Sequence, residues 1–432
     1  QLMKYFSLNH NSKSTLFHNA VKKGLAPDRG LYFPETIPQL PQSFFDGIEK
    51  MSIPEMAYRV IKPYVGNQIL KEKLMEIVSE TLDFDFPIIA ITDNIAALEL
   101  FQGPTLAFKD VGARFMARSL GHLNRDSNEK ITVLVATSGD TGGAVANGFL
   151  GVEGINVVIL YPKGKVSEIQ EKQLTTLGQN ITALEVDGVF DDCQEMVKTA
   201  FLDPGLSSVN LTSANSINVA RWLPQMFYYF IAYRALKSKN KRLVFSVPSG
   251  NFGNICAGIM GLQMGLPIDH FIASTNVNDA VPRYLETGTY DPMPTIQTIS
   301  NAMDVGNPSN FIRIQKIFNN DAVKMKKHLS GYRYTDQETR KALKEIYNLK
   351  NYIADPHGAV GYLGLKEYLN QQKEDLYGVF LETAHPVKFF DSVNKTLKLE
   401  VAIPERLKDT LSKEKVSVPI KDYSELKAYL LD

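Results

Sequence analysis

Two stretches of this chain share one design. "ITVLVATSGDTGG" (131–143) and "RLVFSVPSGNFGN" (242–254) each carry an apolar, β-branched run into a polar glycine-rich loop and then into a helical pattern. Strand, tight turn and helix in that order make the unit of a mostly parallel sheet covered by helices. Open sheets of this kind bind ligands beyond the C-terminal ends of their strands. Unpaired amides at a helix N-terminus, which glycine lets a ligand approach closely, cradle an anion without any cationic side chain. Neither loop continues into G-K-[ST] and neither matches G-x-G-x-x-G, which disfavours ATP and dinucleotides. One such loop reads equally well as a plain strand-to-helix turn; two of them point to two anionic groups held close together.

The 432 residues are enough for two or three domains. Residues 1–95, with helical stretches around the turn-rich "GLAPDRGLYFPETIPQLP", read as a separate N-terminal unit. From about 96 strands and helices alternate, and the chain divides into a smaller α/β domain over 96–215 and a larger one over 216–432. "SEIQEKQLTTLG" predicts a helix opened by a capping box from Ser167 to Gln170 and closed at Gly178. "INVARWLPQMFYYFIAYRALK" predicts a long helix that Pro224 kinks or divides. "FFDSVNKTLKL" reads as a closing helix.

Lysine plus arginine equal aspartate plus glutamate at 47 each, so no overall cationic field gathers nucleic acid or an anionic membrane. Anion binding has to be local. The two cysteines, Cys193 and Cys256, form no disulfide framework, which fits a reducing, cytoplasmic setting. The seven histidines include no H-E-x-x-H and no cluster with zinc spacing, so no metal site is expected. No apolar run approaches the roughly 18 residues of a membrane span.

Three further segments carry candidate chemistry. "GPTLAFKDVG" sets Lys109 directly after Leu106, Ala107 and Phe108. Such a lysine either lays its stem over Phe108 with its charge in water, or is desolvated enough to become a neutral nucleophile. "SANSINVAR" places Asn215 and Ser216 at a helix start with Arg221 further on, an ordinary cap and charge or a set of phosphate donors. "ETAHP" ends an apolar strand on Thr383, with His385 open to a catalytic or a turn role.

Taken together, "PTLAFKD", "ATSGDTG", "SANSIN..R", "SVPSGNFGN", "SNAMDVGNPSN" and "ETAHP", in this order and after "GLAPDRGLYFP", resemble the threonine synthase family with an extended N-terminal region. The resemblance runs from about residue 4 to residue 400. It implies the tryptophan-synthase-β-like fold (fold type II) of pyridoxal-phosphate enzymes: two α/β domains with open, mostly parallel sheets, and pyridoxal 5'-phosphate between them. It implies that Lys109 joins the cofactor aldehyde, that Gly250, Asn251, Phe252, Gly253 and Asn254 hold the cofactor phosphate, and that Thr383 bonds the pyridine nitrogen. Thr137, Ser138, Asp140 and Thr141 would face the substrate carboxylate and the ring hydroxyl. Asn215, Ser216 and Arg221 would take the phosphate of O-phospho-L-homoserine, in a monomer or homodimer. The sequence departs from the wider fold family at Ala107, where many members have serine, and at Asp140, where many have asparagine. An anionic Asp140 would repel a substrate carboxylate unless it is protonated or turned away. The rival readings are another lyase of this fold, such as a serine/threonine dehydratase, and a non-catalytic relative that binds a phosphorylated metabolite.

Overall fold

The computed structural model of the chain describes residues 2–432. Its larger sheet has six strands in the order Leu329–Arg333, His270–Thr275, Arg242–Pro248, Leu376–Glu382, Ile95–Glu99 and Ile88–Ala90. All are parallel except the antiparallel edge strand Ile88–Ala90. The strands His270–Thr275 and Leu376–Glu382 are buried along their whole length, as expected when helices cover both faces of a parallel sheet. A second, wholly parallel sheet runs Val418–Ile420, Ile181–Val186, Ile155–Pro162, Ile131–Ala136 and Asn210–Ser213.

The sheets do not follow the continuous spans expected from sequence. Ile88–Ala90 and Ile95–Glu99 join the larger sheet, although both precede the smaller one. Val418–Ile420, near the chain's end, pairs with Leu184–Val186 in the smaller sheet. Phe390–Leu397 is therefore not the closing helix: Glu405–Ser412 and Tyr423–Leu431 follow it, and Leu426 buries itself against Cys193, Met196 and Val197. The N-terminal unit holds a small antiparallel sheet, Thr15–Leu16, Lys4–Ser7 and Tyr32–Pro34, beside its expected helices.

Local signals fared better. Ser167 and Gln170 form the reciprocal capping box of Glu168–Thr175, at 3.2 and 3.1 Å, although that helix ends short of Gly178. Around Pro224 the long helix divides into Val219–Trp222, a 3-10 turn Leu223–Met226, and Phe227–Leu236. Proline has no N–H for the helical ladder, and the tighter turn absorbs the gap.

Helix Lys109–Leu123 brings the two halves together. A Cβ on Gly112 would lie 2.5 Å from the Arg221 carbonyl oxygen, and one on Gly148 would lie 3.0 Å from the backbone of Ala113. Only glycine permits backbones this close, and the result is that the first turn of the helix sits beside both Asp140–Phe149 and Val219–Trp222.

Candidate active site

Lys109 is the first residue of its helix, and the chain entering it is pinned to the larger sheet. The Phe108 amide donates to the Thr383 carbonyl at 2.8 Å, and the His385 amide donates to the Leu106 carbonyl at 3.0 Å. Ala107 bridges Ala384 between them. Leu106 adopts a left-handed φ of 63° while fully buried, a conformation a branched side chain accepts only when its surroundings over-determine it. The Tyr228 hydroxyl also donates to the Phe108 carbonyl. These bonds fix the backbone entering Lys109 relative to Thr383.

The amine of Lys109 opens into a cavity of about 50 Å³ lined by Pro248–Phe252, Asn254, Ala302, His357 and Thr383 among others. Burial lowers its pKa from 10.5 to about 8; Asp140 opposes the shift, while Arg221 and Lys388 add to it. The desolvated reading of this lysine is therefore the one the structure adopts, although its Nζ also lies 6.0 Å from the Phe108 ring centroid. A much larger cavity, about 970 Å³, runs along the edge strand Asn210–Ser213 between Lys22, Arg29 and Lys198. Size does not locate the chemistry here: the small cavity alone joins an activated amine to an anion cradle.

That cradle is the turn between Arg242–Pro248 and Gly253–Gln263. The Asn251 carboxamide oxygen accepts from the Gly253 amide at 2.8 Å, and Phe252 turns the chain with a left-handed φ of 68°. Asn254 accepts the Tyr229 hydroxyl at 2.6 Å, which aims its amide nitrogen elsewhere, and among the described residues that buried nitrogen has no partner. The amides of Gly250, Asn251 and Phe252 likewise donate to no acceptor among the described residues. Buried donors without acceptors are costly, and several converging at a helix N-terminus suit a phosphate group. The residues present fit the phosphate end of pyridoxal phosphate.

Asp140 opens the helix Asp140–Phe149, and its carboxylate lies 2.6 Å from Lys388 Nζ. Burial opposes its charge, but Lys388 first and Lys109 second hold its pKa below the usual carboxylate value, so it is ionised. Its negative charge is already matched before any substrate arrives. Thr137 is buried, and its hydroxyl oxygen accepts from the Gly139 and Gly142 amides, both at 2.9 Å, which shapes the loop and leaves the hydroxyl hydrogen free to donate. Ser138 is exposed and Thr141 half-buried.

The helix start in "SANSINVAR" lies slightly further along than the sequence suggested. Asn218, not Asn215 or Ser216, caps Val219–Trp222, its side chain accepting from the Ala220 amide at 3.0 Å. Asn215 and Ser216 precede the helix and are free of capping. Ser216 accepts from Asn251 Nδ2 at 2.9 Å, which ties this segment to the cradle, while Asn215 lines one end of the larger cavity. Arg221 is 1% exposed, its pKa lowered to about 10 by burial, and it donates to the Ala214 carbonyl while its Nε has no partner.

His385 takes the turn role: its Nδ1 accepts from the Val387 amide at 3.0 Å, and burial pushes its pKa down to about 4. Two residues near the site went unnoticed in the sequence, Lys388 and His357. "VKFF" reads as a helix start and "DPHG" as a capped helix N-terminus with proline in its first turn, which both segments also are.

Among the described residues no helix is long and apolar enough to cross a membrane, and no group of three or more His, Cys, Asp or Glu could hold a metal ion. The pyridoxal-phosphate-dependent enzyme family matches residues 93–381, the threonine synthase N-terminal family residues 4–82 and its C-terminal family residues 358–430. A threonine synthase of Buchnera aphidicola is 44% identical over 434 residues, covering 100% of both chains. The crystal structure of threonine synthase from Escherichia coli superimposes with a TM-score of 0.91 at 40% identity, covering 99% of each chain. The pyridoxal-phosphate-bound threonine synthase of Brucella melitensis does so with a TM-score of 0.93 at 34% identity, over 99% of this chain and 98% of that one. With its anion cradle, its desolvated lysine and relatives matched end to end, this chain belongs to the threonine synthase family of pyridoxal-phosphate-dependent enzymes.

Proposed function

We propose that the chain converts O-phospho-L-homoserine and water into L-threonine and phosphate, with pyridoxal phosphate joined to Lys109 and its phosphate held by Gly250, Asn251, Phe252, Gly253 and Asn254. The observation that carries this reading is the shared cavity, in which a lysine with pKa about 8 meets a turn of unpaired donors and Thr383.

Bound pyridoxal phosphate supplies a conjugated ring that absorbs the negative charge left when the substrate's α-proton is removed. Lys109 is the group that takes and returns protons. Its lowered pKa gives it a far larger neutral fraction near pH 7 than an ordinary lysine has, which is what a general base requires. Thr383, which lines the same cavity, would offer the pyridine nitrogen a hydroxyl rather than a carboxylate, a partner that would leave that nitrogen largely unprotonated. The overall reaction removes protons from the α- and β-carbons, expels the γ-phosphate, adds water at the β-carbon and restores protons at the α- and γ-carbons.

Arg221, Asn215 and Ser216 hold the departing phosphate. A substrate without that group leaves the buried guanidinium short of partners, which disfavours serine and threonine as substrates. Thr137, Ser138 and Thr141 receive the substrate carboxylate at the start of Asp140–Phe149. Asp140 does not repel it, because Lys388 neutralises Asp140. The buried thiols Cys193 and Cys256 suit a cytoplasmic enzyme.

Lys109→Ala tests the reading. The expected result is loss of both turnover and the visible absorbance of the purified enzyme; normal turnover on phosphohomoserine would overturn it.

A further inference from the structure

Two residues lining the cavity, Ala302 and His357, come from segments with no role so far. The 3-10 turn Asn301–Met303 presses on the cradle: a Cβ on Gly250 would lie 2.9 Å from both the Ala302 carbonyl oxygen and the Met303 Cα. Asn276 Nδ2 donates to the flanks of that turn, to the Ser300 carbonyl at 3.3 Å and Asp304 Oδ1 at 3.0 Å, and among the described residues the turn itself receives one side-chain bond. His357 Nε2 accepts from the Ala302 amide at 3.1 Å. A ring nitrogen that accepts carries no proton, so the other nitrogen does, and Nδ1 lies 2.6 Å from Asp355 Oδ2. The ring also packs on Phe389, 4.7 Å between centroids.

Asp355 is over-determined. It caps Pro356–Asn370 by accepting from the His357 and Gly358 amides at 2.9 and 3.1 Å, and its own amide donates to Glu382 Oε2 at 3.2 Å. A Cβ on Gly358 would fall 1.6 Å from Glu382 Oε1, so the carboxyl group of Glu382 fills the space only glycine leaves. Asp355 and Glu382 are both fully buried and His357 nearly so. Burial, reinforced by Asp355, raises the Glu382 pKa strongly, which favours the neutral carboxyl, and among the described residues its Oε1 has no hydrogen-bond partner. Glu382 is the residue before Thr383. A continuous chain of contacts therefore runs from the strand that ends in Thr383, through Glu382, Asp355 and His357, to Ala302 and Gly250.

We propose that His357 is a positioning residue: it locks the Asn301–Met303 turn onto Gly250 and so sets how tightly the cradle grips the cofactor phosphate, with Asp355 and Glu382 fixing its orientation and tautomer. A ligating or contacting imidazole held by a carboxylate behind it is a general way of fixing such a ring. The proposal rests on the assignment of the Gly250–Asn254 turn to that phosphate.

The test is a binding titration of cofactor-free enzyme with pyridoxal phosphate and, separately, with pyridoxal, which lacks the phosphate. His357→Asn keeps a donor for Asp355 but cannot reach Ala302; His357→Gln can still accept from the Ala302 amide. Losing this hydrogen bond and the order it imposes should weaken pyridoxal phosphate binding about tenfold in His357→Asn, with pyridoxal changed less than about twofold. His357→Gln should bind pyridoxal phosphate within about threefold of the parent. Equal losses for both ligands, or no loss at all, would overturn the proposal. Hydrogen exchange in the unaltered holoenzyme is a check that needs no variant: the Ala302 amide should exchange slowly, and exchange at the rate of an open turn would contradict it. A parent enzyme that binds both ligands equally well would instead refute the underlying phosphate assignment.

Discussion

Lys388 Nζ reaches Asp140 Oδ1 at 2.6 Å, the Thr105 carbonyl at 2.9 Å and Gln173 Oε1 at 3.0 Å, so a buried ammonium has all three of its protons engaged. The side chains are 0% and 7% exposed. This pair clamps the turn Pro386–Phe389, just past Thr383, onto the helix Asp140–Phe149 of the smaller sheet. Breaking a buried pair from one side strands the other charge, at about 3–5 kcal/mol. Asp140→Asn and Lys388→Met should each lower unfolding free energy by that amount. The double variant should lose at least about 2 kcal/mol less than the sum, because neither charge is left alone. Denaturant unfolding of the four proteins measures the coupling, and strict additivity would contradict it.

The depressed pKa of Lys109 sets a pH dependence of definite sign. In the unfolded chain the amine keeps its proton to about 10.5, in the folded chain only to about 8. The folded state thus binds fewer protons between those values, and stability rises with pH across that window. The burial penalty of the charged amine is fully present below pH 8 and gone above about 10.5. Lys109→Met should therefore stabilise the cofactor-free protein at pH 7, by about 1–2 kcal/mol once the part of the side chain open to the cavity is discounted. The gain should shrink as pH rises past 8, and thermal melts at pH 7 and pH 10 check it. The same shift predicts that an amine-reactive reagent labels Lys109 with a midpoint near pH 8.

Gly112 carries the close crossing of Lys109–Leu123 over Arg221. A methyl group there meets a backbone carbonyl at 2.5 Å, which no side-chain rotation relieves. Gly112→Ala should push the helices apart, costing about 1–3 kcal/mol of stability. Because Lys109 and Arg221 ride on the two elements, kcat/KM should fall as well, even though alanine is the better helix former. An alanine variant with unchanged melting temperature and kinetics would show that the crossing does not set the site.

Arg221→Lys retains the charge and discards the planar fork. If Arg221 grips the substrate phosphate through two parallel bonds, kcat/KM on O-phospho-L-homoserine should drop by about 30- to 1000-fold, equivalent to about 2–4 kcal/mol. Inhibition by inorganic phosphate should weaken alongside it. Steady-state kinetics with phosphate as inhibitor check both.

Much of the site was legible because its chemistry is written in local runs. The Gly250–Asn254 turn follows an apolar strand, Lys109 follows three apolar residues, and the capping box at Ser167 and the division at Pro224 need only their neighbours to act. What stayed hidden depends on residues far apart in the chain. Nothing near Lys388 announces that its partner is Asp140, and nothing near His357 announces Ala302. Val418–Ile420 is three residues long and mostly exposed, so only its pairing with Leu184–Val186 makes it a strand. The N-terminal strands, of two to four residues, are likewise too short to show a period of two. Asn218 displaced Asn215 as the cap because three residues of "NSIN" satisfy the same capping chemistry, and only the backbone path chooses among them.

Reduction of the holoenzyme with borohydride, followed by proteolysis and mass spectrometry, tests the central claim most directly, since it records which amine holds the cofactor. The account predicts bleaching of the visible band and a single phosphopyridoxyl group on Lys109. A label on any other lysine, or a protein that takes up pyridoxal phosphate and carries no label on Lys109, would contradict it.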